Sequence, residues 1–74
     1  MGRKLKVQLN AKLIRRILAR KNLSQNWLAG RIGASSAYMS QMMSGVRNPS
    51  PAMRETIMQA LKDYSFDDLF KLRD

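Results

Sequence analysis

Ser24, Ser35, Ser50 and Ser65 each stand immediately before a short run in which apolar residues recur at helical spacing. A serine in that place accepts a hydrogen bond from the first turn and so fixes where a helix begins. Successive serines are 11, 15 and 15 positions apart, which leaves room only for short helices joined by abrupt turns. The apolar residues on either side of three caps fit hydrophobic staples: Leu23 with Leu28, Ala34 with Met39, and Tyr64 with Leu69. Pro51 follows Ser50 at the first helical position, where its missing N–H costs nothing. Gly33 and Gly45 end the second and third helices. Asp67 and Asp68 fall in the first turn of the last one, where the helix dipole favours anions.

The first helix lacks a serine and is marked by periodicity instead. Leu9, Leu13, Ile14, Ile17 and Leu18 share a face, Asn10 is placed to cap it, and Asn22 is suited to the left-handed turn that ends it. Leu28, Ala29 and Ile32 turn inward from the second helix, and Met39, Met42 and Met43 from the third. Met53, Ile57, Ala60 and Leu61 do so from the fourth. Phe66, Phe70 and Leu72 add apolar surface to the last. Gly30, inside the second helix, suggests close helix approach. Residues 1–8 read as a polar, basic, aperiodic and flexible arm. The expectation is an all-α, compact five-helix bundle over residues 9–74, preceded by that arm.

A domain of 74 residues with no cysteine has neither size nor disulfides to stabilise it, so regular helices, caps or a partner subunit must do so. The absence of both Cys and His also excludes thiolate and imidazole metal sites, cysteine nucleophiles and histidine-based triads. Every carboxylate lies in the last 20 positions, so no acid–base cluster is visible. No catalytic residue, metal site, cofactor or small-molecule ligand is expected. No apolar run approaches the ~18–20 residues that span a bilayer, and the N-terminus lacks the apolar stretch of a signal peptide. A cytoplasmic protein with no membrane partner is expected.

Charge points to a polyanion. The net charge is +9, and it is uneven: the first 54 residues hold 11 Lys and Arg and no acid, whereas residues 55–74 hold three cations and five acids. Within the third helix, about residues 35–44, Ser36, Ala37, Ser40, Gln41 and Ser44 form one face that is small, polar and uncharged. A solvated face usually carries Lys and Glu. This one suits insertion into a duplex groove, where Gln41 can bond adenine N6 and N7, Ser36 any base edge, and Ala37 a thymine methyl.

A short helix, a glycine-containing turn and a second short helix make a helix-turn-helix. The stretch LSQNWLAGRIGASSAYMSQMMSGVRNPSPAMRETIMQAL resembles the phage repressor/Cro-type family, also called Xre-like or lambda-repressor-like. The marks are Leu23-Ser24-Gln25, Leu28-Ala29, Ile32-Gly33, Ser35, Met39-Ser40, Gly45 and Asn48-Pro49-Ser50. The resemblance implies a five-helix DNA-binding domain whose third helix enters the major groove, and a transcriptional regulator, read here as a bacterial or phage repressor. It matches Ser36, Ala37 and Gln41 to base-reading positions, with Ser40 on the same face, and Gln25 to a phosphate contact. Arg47 and Asn48 fall in the loop that the family lays along the same strand, with Ser44 adjacent. Tyr38 is assigned to a phosphate or base.

A homodimer on a pseudo-palindromic operator is implied, with reader helices ~34 Å apart. Met58, Phe66, Phe70 and Leu72 are candidates for its surface. Arg3, Lys4 and Lys6 of the arm either reach into the minor groove or add non-specific attraction. Many family members pair an acid at the position of Met43 with a base at that of Leu18. Here both are apolar, so Met43 is expected to pack on Leu18. Trp27 is expected to cover the first helix. Two other functions fit the same scaffold: a DNA-binding protein without sequence preference, and an antitoxin-type protein-interaction module.

Overall fold

The computed structural model describes residues 5–74. Among these, the element order is β1 (Lys6–Leu9), α1 (Ala11–Arg20), α2 (Gln25–Ile32), α3 (Ser36–Ser44), α4 (Pro51–Ala60), α5 (Phe66–Leu69) and β2 (Phe70–Arg73). Each expected cap closes its helix. Asn10 Oδ1 accepts from Leu13 N at 3.3 Å, Ser24 Oγ from Trp27 N at 2.9 Å, and Ser35 Oγ from Tyr38 N at 3.0 Å. Ser50 Oγ accepts from Met53 N at 3.1 Å. Ser65 and Asp68 form a reciprocal capping box around α5. At the other ends, Asn22 (φ 57°) and Gly33 (φ 71°) adopt the left-handed conformation. The N–H groups that follow them fold back, Leu23 N to Leu18 O and Ala34 N to Ala29 O, both at 2.8 Å. These are the bonds of a Schellman motif, and they satisfy carbonyls that the helix ends would leave open.

The purely helical expectation fails at both ends of the chain. Lys6–Leu9 and Phe70–Arg73 pair as a two-stranded antiparallel sheet, with Lys6 opposite Arg73, Val7 opposite Leu72, Gln8 opposite Lys71, and Leu9 opposite Phe70. Residues 6–8 are therefore strand and not arm, and the apolar stripe of α1 begins at Leu13 and not at Leu9. The reason is a period-2 alternation in both segments, KVQL and FKLR, which a helix would scatter around its circumference. An isolated pair of strands is marginal in water. This one is anchored because Leu9 and Phe70 are buried in the common core. Asn10 extends the pairing, donating from its backbone N to Leu69 O (2.8 Å) and from Nδ2 to Asp68 O (3.1 Å).

The core gathers Ile14, Ile17 and Leu18 of α1, Leu28, Ala29 and Ile32 of α2, and the three expected methionines of α3, with Ile57, Leu61 and Leu69. Met43 and Leu18 belong to it together, at 6% and 5% exposure. α2 packs on α3 and α4, α1 on α3 and α5, and β1 on α3. Trp27 stays 40% exposed, outside the buried cluster. The expected intermolecular surface is also redistributed. Phe70 is in the core with its ring 5.0 Å from that of Phe66, Met58 and Phe66 pack against that core, and of the four only Leu72 is exposed. A Cβ added to Gly30 would meet nothing within 4 Å, so no close helix approach explains that residue.

Candidate nucleic-acid interface

The turn that separates α2 from α3 is only Gly33-Ala34-Ser35. Gly33 stops one helix and Ser35 starts the next, so α3 is set by two local devices and by three buried methionines beneath it. With Met39, Met42 and Met43 turned inward, Ser36, Ala37, Ser40, Gln41 and Ser44 all come out exposed. The outer face of α3 therefore carries small uncharged side chains together with one amide. Ser44 Oγ donates to Gln41 O at 3.2 Å, which engages that hydroxyl at the helix end.

Beyond α3 the chain turns back along it. Gly45 takes the left-handed conformation at φ 82°, and Arg47 N donates to Gln41 O at 3.1 Å. The Arg47 guanidinium lies over the Tyr38 ring, 4.8 Å from its centroid. Tyr38 is half-buried and packs on the core, so its ring is a platform that holds Arg47 beside the outer face of α3. This coupling of two expected phosphate contacts joins residues nine positions apart, and nothing in the sequence pattern announces it. Asn48 is exposed in the same loop, and Pro49 after it is buried. Gln25 is half-buried in the first turn of α2, behind the Ser24 cap, in a turn that holds no acid.

Lys6 is exposed on β1, while Arg3 and Lys4 lie outside the described residues. Cross-strand partners share a face of a sheet, and successive residues alternate between faces. One face of the ribbon is therefore Val7, Leu9, Phe70 and Leu72. The other is Lys6, Gln8, Lys71 and Arg73. Sequence reasoning missed Lys71 and Arg73, because it assigned the chain's last residues to a less basic region. The alternation in FKLR was the signal that could have found them. Among the acids, Asp63 lies at the opposite end of α1, its Oδ2 3.6 Å from Lys21 Nζ.

Among the described residues, no group of three or more His, Cys, Asp or Glu could hold a metal ion, and no helix is long and apolar enough to cross a membrane. Compared with protein-family models, curated proteins and solved structures, the chain matches none of them.

Proposed function

We propose that this protein is a sequence-specific double-stranded DNA-binding regulator of transcription, acting in the cytoplasm as a repressor, with α3 as the element that enters the major groove. The observation that carries the reading is the outer face of α3: Ser36, Ala37, Ser40 and Gln41 are all exposed and uncharged on a chain of net charge +9. Bulky or acidic side chains there would keep a helix out of a groove whose walls are phosphate. The resemblance to phage repressor/Cro-type proteins supports the same assignment through the motif residues given above.

In this reading phosphates position the protein and base edges specify the site. Gln41 is the principal reader, through a bidentate bond to adenine, while Ser36 and Ser40 supply adaptable hydroxyls and Ala37 a methyl contact. Gln25, Asn48 and Ser44 meet the backbone, and Arg47, braced on Tyr38, adds a charge beside the reading face. A homodimer on a pseudo-palindromic operator doubles the readout.

Selection of bound sites from a random duplex pool tests the proposal. The expected result is an enriched motif with two inverted half-sites about one helical turn apart, and a preference over bulk DNA of ~10³ or more at physiological salt. A pool that binds without enrichment would leave only a non-specific DNA-binding protein.

A further inference from the structure

The ribbon that the two chain ends build carries a feature that its folding does not require. Lys6 and Arg73 stand directly opposite each other, and Lys71 lies diagonally across from Lys6 on the same face. Directly opposed like charges destabilise a strand pair, and Cβ atoms in such pairs are only about 5 Å apart. Protecting a short sheet edge needs charge along the edge, not two cations facing each other across it. What this arrangement suits is an anion with more than one charge, spread along the ribbon.

The place of this face says which anion. Gln8, between Lys6 and Lys71 in the alternation, reaches the end of α3: a Cβ built on Gly45 would lie 2.5 Å from Gln8 Nε2. One shallow cavity is lined by Lys6, Gln8 and Arg73 together with Gly45, Val46 and Asn48. A second, beside it, brings Lys71 and Lys12 to Ser44 and Gly45. The cationic face thus runs without interruption into the loop that follows the reading helix. Asp74, past the end of β2, borders Lys6 and Arg73 in a third hollow at the outer tip of the ribbon.

We propose that the outer face of the β1–β2 ribbon, through Lys6, Lys71 and Arg73, is a phosphate-backbone clamp on the DNA strand that leaves the groove at the C-terminal end of α3. The inference rests on the DNA-binding reading above and deepens it. It assigns to the chain's last residues a contact that the charge distribution along the sequence denies them, and it makes the two termini a single binding element. Arg and Lys at exposed strand positions neutralise phosphates without reading bases, so the ribbon raises affinity on every sequence and adds no preference.

The test compares the intact chain with the double variant Lys71→Gln/Arg73→Gln, and with Lys6→Gln on the partner strand. Each is titrated onto a site-bearing duplex and onto an unrelated duplex over a range of KCl concentrations. The expected result for the double variant is a plot of log K against log salt less steep by about 2 units, and for Lys6→Gln by about 1. Both duplexes should lose the same factor, so the ratio between them stays unchanged, and Lys71→Arg/Arg73→Lys should keep the original slope. All three substituted residues are exposed, so urea unfolding midpoints should match that of the intact chain or rise slightly as the opposed charges are removed. Unchanged slopes in both Gln variants, with the intact chain binding DNA normally, would overturn the clamp and leave the reading helix untouched. Binding by the intact chain with no preference between duplexes would sink the specific reading instead, while the slopes still decide the clamp. No binding at all would end both.

Discussion

The outer face of α3 and the outer face of the β1–β2 ribbon meet at Gly45, yet they are opposite in kind. One is Ser36, Ala37, Ser40 and Gln41, without charge; the other is Lys6, Gln8, Lys71 and Arg73, with three cations. Hydroxyl, methyl and amide groups distinguish one base pair from another because their geometry must match a donor–acceptor pattern. Ammonium and guanidinium groups on a strand meet a backbone that is the same at every step. Under the proposed function, such different adjacent surfaces divide the work of recognition, one supplying choice and the other grip. They also differ in what holds them. α3 is fixed by a cap, a glycine and three buried methionines, whereas the ribbon is fixed by the buried Leu9 and Phe70, by Val7 packed at the edge of the core, and by the bonds of Asn10.

The sharpest way to break the comparison is to remove the ribbon's anchor. Phe70→Ala deletes a core ring in contact with Phe66. It should cost ~3–5 kcal/mol, enough to unfold much of a domain this small, as read by urea denaturation. Leu72→Ala, two positions along on the same ribbon face but 53% exposed, should change stability by less than ~0.5 kcal/mol. Equal losses at both positions would mean that the ribbon is not held in the way described.

On the α3 side the largest effect belongs to Gln41. Gln41→Ala should cost ~1–3 kcal/mol at one base pair of each half-site and leave the others as they were, measured by competition among single-substitution duplexes. Its salt dependence should match that of the intact chain, because no phosphate contact is removed. A uniform loss across all duplexes would show that Gln41 works like the ribbon cations and not as a reader.

The difference between the two regions is also a difference in legibility. Each device that builds the α2–α3 unit is local: Ser24, Gly33, Ser35 and Gly45 act within a few residues of themselves, and Met39, Met42 and Met43 follow the helical period. Those could be read directly, and with them the exposed face they leave. The ribbon depends on pairing between residues 6–9 and 70–73, and no short-range signal declares a partner more than 60 positions away. Its alternation was visible, but four residues of alternation are easily read as a basic arm at one end and a helix tail at the other. The same distance explains why summed charge misled. Lys71 and Arg73 follow Asp63, Asp67 and Asp68 in sequence, yet β2 carries them to Lys6 and away from Asp63. Trp27 stays outside the buried cluster that Leu28 and Ala29 of the same helix join.

The smallest effects test the junction itself, through two glycines that differ in what surrounds them. At Gly45 the backbone is left-handed, a conformation that costs a residue with a Cβ about 1–2 kcal/mol. The new methyl group would also displace the Gln8 amide where ribbon and helix meet. Gly45→Ala should therefore lower unfolding stability by that amount. Gly30 lies in the helical run of α2, exposed, with open space where a Cβ would go. There the only change is the replacement of a poor helix former by the best one, so Gly30→Ala should raise stability by ~1 kcal/mol. DNA binding should be unaltered in that variant, because α2 is stiffened without moving Gln25 or the Gly33 turn. Opposite signs at the two positions follow from the backbone alone, left-handed at Gly45 and helical at Gly30, whereas a loss at Gly45 beyond ~2 kcal/mol would show that the Gln8 amide is fitted against the end of α3.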